Sequence, residues 1–189
     1  LSKISFLFKK IIFVSNSSLT QESLDKISLY SSKIIVRENK GYDFGGWFDA
    51  IQSEGWLELE KYDSLTLMND TCFFPLYNME SIYSSMEKKI NIDFWGNTIH
   101  PQSTNDTLSK KENFPEHVQS YFLVFNNNVI KSQAFKNFWN NIIYYDDVSS
   151  VIQNYETQIT KKISESGFMY SSWIHNHNQI FCPNIAHHC

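Results

Sequence analysis

Apolar residues fall in short blocks separated by polar turns, and the spacing inside each block points to its element. Lys10–Val14 (KIIFV) and Lys33–Arg37 (KIIVR) are β-branched runs of strand length, closed by Ser15-Asn16-Ser17-Ser18 and by Glu38-Asn39-Lys40-Gly41. Between them Thr20 is placed to cap a helix, with Glu22 in its first turn complementing the helix dipole. Leu24, Ile27 and Tyr30 are its expected buried stripe. Gly45-Gly46-Trp47 opens a second helical segment reaching about Trp56, and Ser64–Met68 (SLTLM) is a third strand that ends on Asn69-Asp70-Thr71. Strand, helix, strand, helix, strand is the alternation of an α/β sheet with crossover helices. Open sheets of that kind hold ligands at the carboxyl ends of their strands.

Farther along, Met79–Lys88 reads as a helix, Ile92–Trp95 as a short strand and Pro101–Pro115 as a polar loop without a period. Gln119–Phe125 (QSYFLVF) is a strong strand, and Ser132–Ile143 a helix with Phe135, Phe138, Trp139 and Ile142 on one face. Val148–Ser166 reads as one continuous helix, with Ile152, Tyr155, Ile159 and Ile163 spaced by three and four and Gly167 at its C-cap. Leu1–Phe8 has the spacing of an amphipathic helix with no capping residue before it, and no closing element follows His187-His188-Cys189. Residues 1–189 therefore read as a single domain and as a piece of a longer protein.

Composition narrows the classes. A net charge of −4 gives no basic field for duplex nucleic acid, and an aromatic content of 16% belongs to a folded protein. No run approaches the ~20 apolar residues of a bilayer-spanning helix. Cys72, Cys182 and Cys189 are widely spaced, without a CxxC pair or a signal peptide, which points to a reducing cytoplasm. The sequence has no GxSxG, Walker or GxGxxG motif.

Four constellations carry candidate chemistry. Arg37–Trp47 sets Gly41, Gly45 and Gly46 around Asp43 between a strand and a helix start, which allows close backbone approach and offers free amides; Asp43 serves equally as a plain helix cap. Asn69-Asp70-Thr71 puts a carboxylate just past an apolar strand, a place for a divalent cation bridging a diphosphate or for a solvated Asx-turn. Glu156 offers a general base for a sugar hydroxyl, although an isolated helix glutamate is more often a surface residue. His175, His177, His187 and His188 with Cys182 and Cys189 lack the spacing of a standard zinc site. By pattern the aromatics Trp95, Tyr121, Phe122, Trp139 and Trp173 read as core.

Taken in order, Val14–Ser17 (VSNS), Arg37–Trp47 (RENKGYDFGGW), Tyr62-Asp63 with Asn69–Thr71 and Pro75, Asp93–Gly96 (DFWG), His117–Phe125 (HVQSYFLVF), Ser132–Trp139 and Val151–Phe168 resemble the motifs of the rhamnan synthesis protein F family over nearly the whole chain. More distantly, the arrangement resembles inverting family 2 glycosyltransferases of the GT-A fold. The fold implied is α/β and GT-A-like: a mixed, mainly parallel sheet flanked by helices, its first strand lying upstream of Leu1. The activity implied is transfer of a sugar, L-rhamnose from dTDP-L-rhamnose, to a growing bacterial surface polysaccharide by a single displacement at the anomeric carbon. The resemblance implies Glu156 as the catalytic base and Asp70 as ligand of Mg²⁺ or Mn²⁺. It sets Asn39, Gly41, Asp43, Gly45, Gly46, Asn69 and Asp70 against the nucleotide donor, and Asp93, Trp95, Gln119, Ser120 and Tyr121 along the sugar or acceptor cleft. Asn69 and Thr71 flank Asp70 where the distant relatives carry an acidic metal motif, which leaves one carboxylate there. A lipid-linked or polysaccharide acceptor implies a cytoplasmic protein in peripheral contact with the inner membrane face. Two other classes stay open: a non-catalytic glycan-binding or assembly module, and a metal-dependent hydrolase of a sugar phosphate.

Overall fold

The computed structural model describes residues 1–71, 75, 77–105 and 112–174. Strand β1 (Ile12–Ser15), helix α1 (Gln21–Ser28) and strand β2 (Lys33–Val36) form the first unit, with β1 and β2 paired in parallel. Thr20 caps α1 as its sequence position indicates, its hydroxyl accepting from Ser23 N. The expected buried stripe does not form, because Leu24 and Ile27 are half-buried and Tyr30 is exposed. A two-stranded ribbon is too narrow to cover a helix face.

Helix α2 (Tyr42–Glu54) starts three residues before the glycine pair, and α3 (Trp56–Leu59) follows it. Next come β3 (Ser64–Met68), α4 (Met79–Glu87), β4 (Phe94–Gly96), β5 (Ile99–His100), β6 (Ser103–Asn105), β7 (Glu112–Phe114), β8 (His117–Val118) and β9 (Phe122–Asn126). Helices α5 (Asn127–Lys131), α6 (Gln133–Asn140), α7 (Val148–Val151) and α8 (Thr157–Ser164), then β10 (Tyr170–Ser172), complete the described chain.

The main sheet has the order β10-β4-β9-β3. Strand β9 runs antiparallel to both neighbours, and only β10 and β4 pair in parallel. The sheet is therefore mixed, as expected, but not mainly parallel: a β-branched run does not encode direction, and β9 enters after a tight turn at Gln119–Tyr121 rather than through a crossover helix. The stretch expected to be a plain loop, Pro101–Pro115, contributes both strands of one antiparallel ribbon, β6 with β7, and is flanked by the strands of a second, β5 with β8. Leu1–Phe8 forms a single 3₁₀ turn over Ser5–Leu7 instead of a helix, with Ile4 buried against α4 and Phe6 turned outward.

Alternation along the strands sorts side chains onto two faces. One face joins Leu67, Leu123, Phe125 and Phe94 to Phe44, Trp47 and Ile51 of α2, Phe135 and Trp139 of α6, and Ile159 and Ile163 of α8. The other packs Trp95, Phe122 and Val124 on Met79, Ile82 and Met86 of α4. Each such side chain contributes about 1.5–3 kcal/mol by leaving water, and the helices they fasten hold the strand ends in place. Gly96 lets β8 and β9 lie close over β4, since a Cβ there would meet Val118 Cγ1 at 2.4 Å and the Phe122 carbonyl oxygen at 2.5 Å.

Candidate functional site at one end of the sheet

The carboxyl ends of β3 and β4 and the start of β9 lie at the same end of the sheet, which follows from the registers Met68↔Phe122 and Gly96↔Leu123. Asn69 continues β3 by donating its backbone N–H to Tyr121 O at 3.3 Å. Helix α2 is aimed at the same place: Trp47 Nε1 donates to Met68 O at 3.3 Å, and the chain enters the helix through Gly41 at φ 73° and Tyr42 at φ 50°. A tyrosine in the left-handed region is strained, and its consequence here is to turn Asp43 toward the end of β3.

Asn69 Nδ2 donates to Asp43 Oδ2 at 2.8 Å, while Asn69 Oδ1 accepts from Thr71 N at 3.3 Å and Thr71 Oγ1 at 2.7 Å. Asn69 is thus the amide that orients Asp43. Asp70 is exposed and Asp43 half-buried. Burial pushes the Asp43 carboxyl above its ordinary value, the Asn69 hydrogen bond opposes this, and the charges of Asp70 and Glu156 raise it further. Asp43 therefore lies within electrostatic reach of both other carboxylates.

Glu156 reaches this place through a break in the expected continuous helix. Between α7 and α8 the backbone widens into a π-helical turn, Ile152–Glu156, a local form that is common at functional sites. Tyr155 anchors the turn in the core, donating its hydroxyl to Ile143 O at 2.9 Å and accepting from Ile143 N at 2.6 Å. Glu156 Oε1 then accepts from Ser120 N at 3.4 Å. Among the described residues, Asp43, Asp70 and Glu156 take part in none of the ion pairs.

Gln119 and Tyr121 form a relay with Thr98, whose hydroxyl donates to Gln119 Oε1 at 2.6 Å and lies 2.7 Å from the Tyr121 hydroxyl. Ser120 is buried between them and Glu156. Two expected cleft residues lie elsewhere. Asp93 sits at the opposite end of the sheet, where its Oδ2 accepts from Met169 N at 2.9 Å. Trp95 is 3% exposed inside the α4-side core, so its ring belongs with Tyr83 and Phe122.

The glycines are small because of packing. A Cβ on Gly45 would stand 2.3 Å from Lys40 O, and one on Gly46 would stand 3.3 Å from Val14 Cγ1. Gly41 N donates to Tyr145 O at 3.0 Å. Asn39 lies in the loop between β2 and α2, outside either element.

Sequence reasoning missed the residue that knits this loop together. Arg37 donates Nε to Asp49 Oδ2 at 2.5 Å, Nη1 to Asn16 Oδ1 at 2.6 Å and Nη2 to Lys40 O at 2.6 Å, and lies 5.4 Å from the Tyr144 ring centroid. Tyr144 closes the circle by donating to Asp49. The signal was available, since Arg37 is the only arginine in the sequence. The histidine and cysteine group at His175, His177, Cys182, His187, His188 and Cys189 lies outside the described residues. No described helix is long and apolar enough to cross a membrane.

Comparison with known proteins agrees with the motif order. The chain is 33% identical over 169 residues to the Uncharacterized protein y4gN of Sinorhizobium fredii, covering 86% of this chain and 40% of that one. It is 32% identical over 140 residues to Virulence protein VirA of Vibrio anguillarum, covering 72% of this chain and again 40% of the relative. The chain thus spans about 40% of the length of the curated relatives it matches. The model of the Rhamnan synthesis protein F family matches residues 11–183, and with that span the chain belongs to this family.

Proposed function

We propose that the strand-end cluster is the donor site of a GT-A-like glycosyltransferase that moves a sugar from a nucleotide-diphospho-sugar to a bacterial surface polysaccharide. The family's name for rhamnan synthesis favours L-rhamnose as the sugar, and dTDP-L-rhamnose is the donor in this reading. The observation that carries the reading is the convergence of Asp43, Asp70 and Glu156, brought together from α2, the end of β3 and the π turn, with Asp43 feeling both other charges. Uncompensated carboxylates crowded at one place raise the free energy of the empty site and favour a partner that neutralises them.

In this reading the acceptor hydroxyl attacks the anomeric carbon, Glu156 accepts its proton, and the nucleoside diphosphate departs as the new C–O bond forms. A positioned general base contributes ~10²–10⁴ in rate. Ser120 N and the helix turn hold Glu156 in place, while Gln119 and Tyr121, fixed through Thr98, border the acceptor side. Among the described residues no group of three or more His, Cys, Asp or Glu forms a cage for a metal ion. Mg²⁺ bound through a substrate diphosphate needs only one or two protein carboxylates, and Asp70, with Asp43 oriented by Asn69, supplies that number. Mg²⁺ or Mn²⁺ held by these carboxylates would supply positive charge against the leaving diphosphate.

The place of action in this reading is the cytoplasmic side of the membrane, against a lipid-linked or polysaccharide acceptor. The test is product analysis on the full-length protein with dTDP-rhamnose, Mn²⁺ and candidate acceptors. Release of nucleoside diphosphate coupled to a glycosylated acceptor is the expected result. Free sugar without acceptor dependence would indicate a hydrolase, and donor left intact would indicate a glycan-binding module.

A further inference from the structure

The β5–β8 ribbon, which leads into the Ser120 that bonds Glu156, carries a histidine pair that the transfer reading leaves without a task. His100 and His117 face each other across the β5–β8 ribbon, their ring centroids 5.2 Å apart and their planes 16° from parallel. His117 is 5% exposed. Its Nδ1 is 2.8 Å from the Pro115 carbonyl oxygen, which only accepts, so Nδ1 carries the proton of the neutral ring and Nε2 is left as the basic nitrogen. Strand β8 is fastened to α8 by the bond from Val118 N to Thr160 Oγ1 at 3.0 Å, and Ser120 N reaches Glu156 Oε1. The chain on either side of Val118 is therefore tied to α8 and to Glu156, and His117 is the residue just before that tie.

The charged groups around His117 come from three directions. Burial holds its titration below the ordinary value of 6.5; the Pro115 carbonyl and the Glu156 charge work against this, and His100 adds to it. Glu116, next in sequence, has its carboxylate engaged by the Tyr170 hydroxyl at 2.7 Å. Glu156 is the anion that answers the charge state of His117.

We propose that His117 is a positioning residue for Glu156, an inference that rests on Glu156 being the base: the neutral ring leaves the carboxylate free to take the acceptor proton, and the imidazolium pairs with it and withdraws it from that task. The only bond that changes at His117 is N–H, with the proton drawn from water. A cation beside Glu156 also makes it a weaker base, because it stabilises the carboxylate over the acid. The burial of His117 and the His100 stack keep the ring uncharged near neutral pH.

Two measurements on the full chain test this. In the first, the His117 ring, assigned through its contacts with His100, is titrated by NMR in the wild type and in Glu156→Gln. Loss of the carboxylate removes what favours the imidazolium, so the His117 midpoint moves to lower pH; an unchanged midpoint overturns the pairing whether or not the protein transfers sugar. The second is the pH profile of transfer in His117→Asn, whose amide keeps a donor for the Pro115 carbonyl and carries no charge. The acid limb of kcat/KM moves to lower pH with the donor KM unchanged. An acid limb that stays in place overturns the positioning role. Absence of transfer in both proteins overturns the base assignment on which it rests, while leaving the titration result standing on its own.

Discussion

At one end of the four-stranded sheet Asp93, Asn126 and Asn127 tie the chain together; at the other, Asp43 feels the charges of Asp70 and Glu156. Asp93 accepts from Met169 N, Asn126 Nδ2 donates to Ile92 O at 2.8 Å, and Asn127 Nδ2 donates to Glu60 O at 2.8 Å and Tyr62 O at 2.6 Å. These three side chains answer backbone groups, which is the arrangement that stabilises a fold. At the other end one amide, Asn69, serves Asp43, and no described cation pairs with the three carboxylates. The contrast shows that residue type alone does not mark a site: what distinguishes the Asp70 end is charge left without compensation.

The contrast is broken most severely at Glu156. Glu156→Gln lowers transfer kcat by ~10²–10⁴ with donor binding largely retained, read by steady-state kinetics beside a donor titration; full turnover would take Glu156 out of the chemistry. Asp93→Ala at the opposite end leaves Met169 N without its acceptor and destabilises the fold by about 1–3 kcal/mol, measured by urea denaturation. Its donor affinity stays that of the wild type, and a weakened donor would place Asp93 at the site after all.

Asn69→Asp sharpens the comparison by exchanging the orienting amide for another charge. It costs about 1 kcal/mol through the lost hydrogen bond, and Mn²⁺ recovers more stability in this variant than in the wild type, seen in thermal melts with and without the ion. The smallest effect is that of Asp43→Asn. Because the Asp43 carboxyl titrates above its ordinary 3.8 in the folded state, the folded protein binds that proton more tightly than the unfolded chain does. The stability this confers is complete below 3.8 and lost as pH rises through the raised value, so the ionised group burdens the fold at neutral pH. Asp43→Asn therefore slightly raises Tm at pH 7, and the gain disappears on acidification; a Tm that falls at pH 7 would contradict the account.

Much of the scaffold was legible from the chain. Strand β3 matches its expected bounds residue for residue, and Thr20 and Ser132 cap their helices through local hydrogen bonds that depend on neighbouring residues only. The direction of β9 was not legible, since apolar alternation is the same read either way. The π turn was hidden because Ile152, Tyr155, Ile159 and Ile163 keep helical spacing through it, and the extra residue in the turn is betrayed only by the Tyr155 anchor on Ile143. At the proposed site, Asp43, Asp70 and Glu156 stand out by pattern and take their roles from the resemblance, while the bond from Asn69 to Asp43 was not legible: as a replaced acidic residue Asn69 reads as a loss, and the bond crosses 26 positions of sequence. Asp93 and Trp95 were drawn into the cleft by a shared motif, which carries no information about the end of a strand at which each residue lies.

The central claim is that the Asp43, Asp70 and Glu156 end of the sheet holds a nucleotide-diphospho-sugar. Calorimetric titration of the full-length protein with dTDP-rhamnose and Mn²⁺, in the wild type and in Asp70→Asn, tests it most directly. The account predicts saturable binding that weakens when Mn²⁺ is omitted and weakens again in Asp70→Asn. Binding of equal strength in both proteins, or no binding to the wild type, would contradict it.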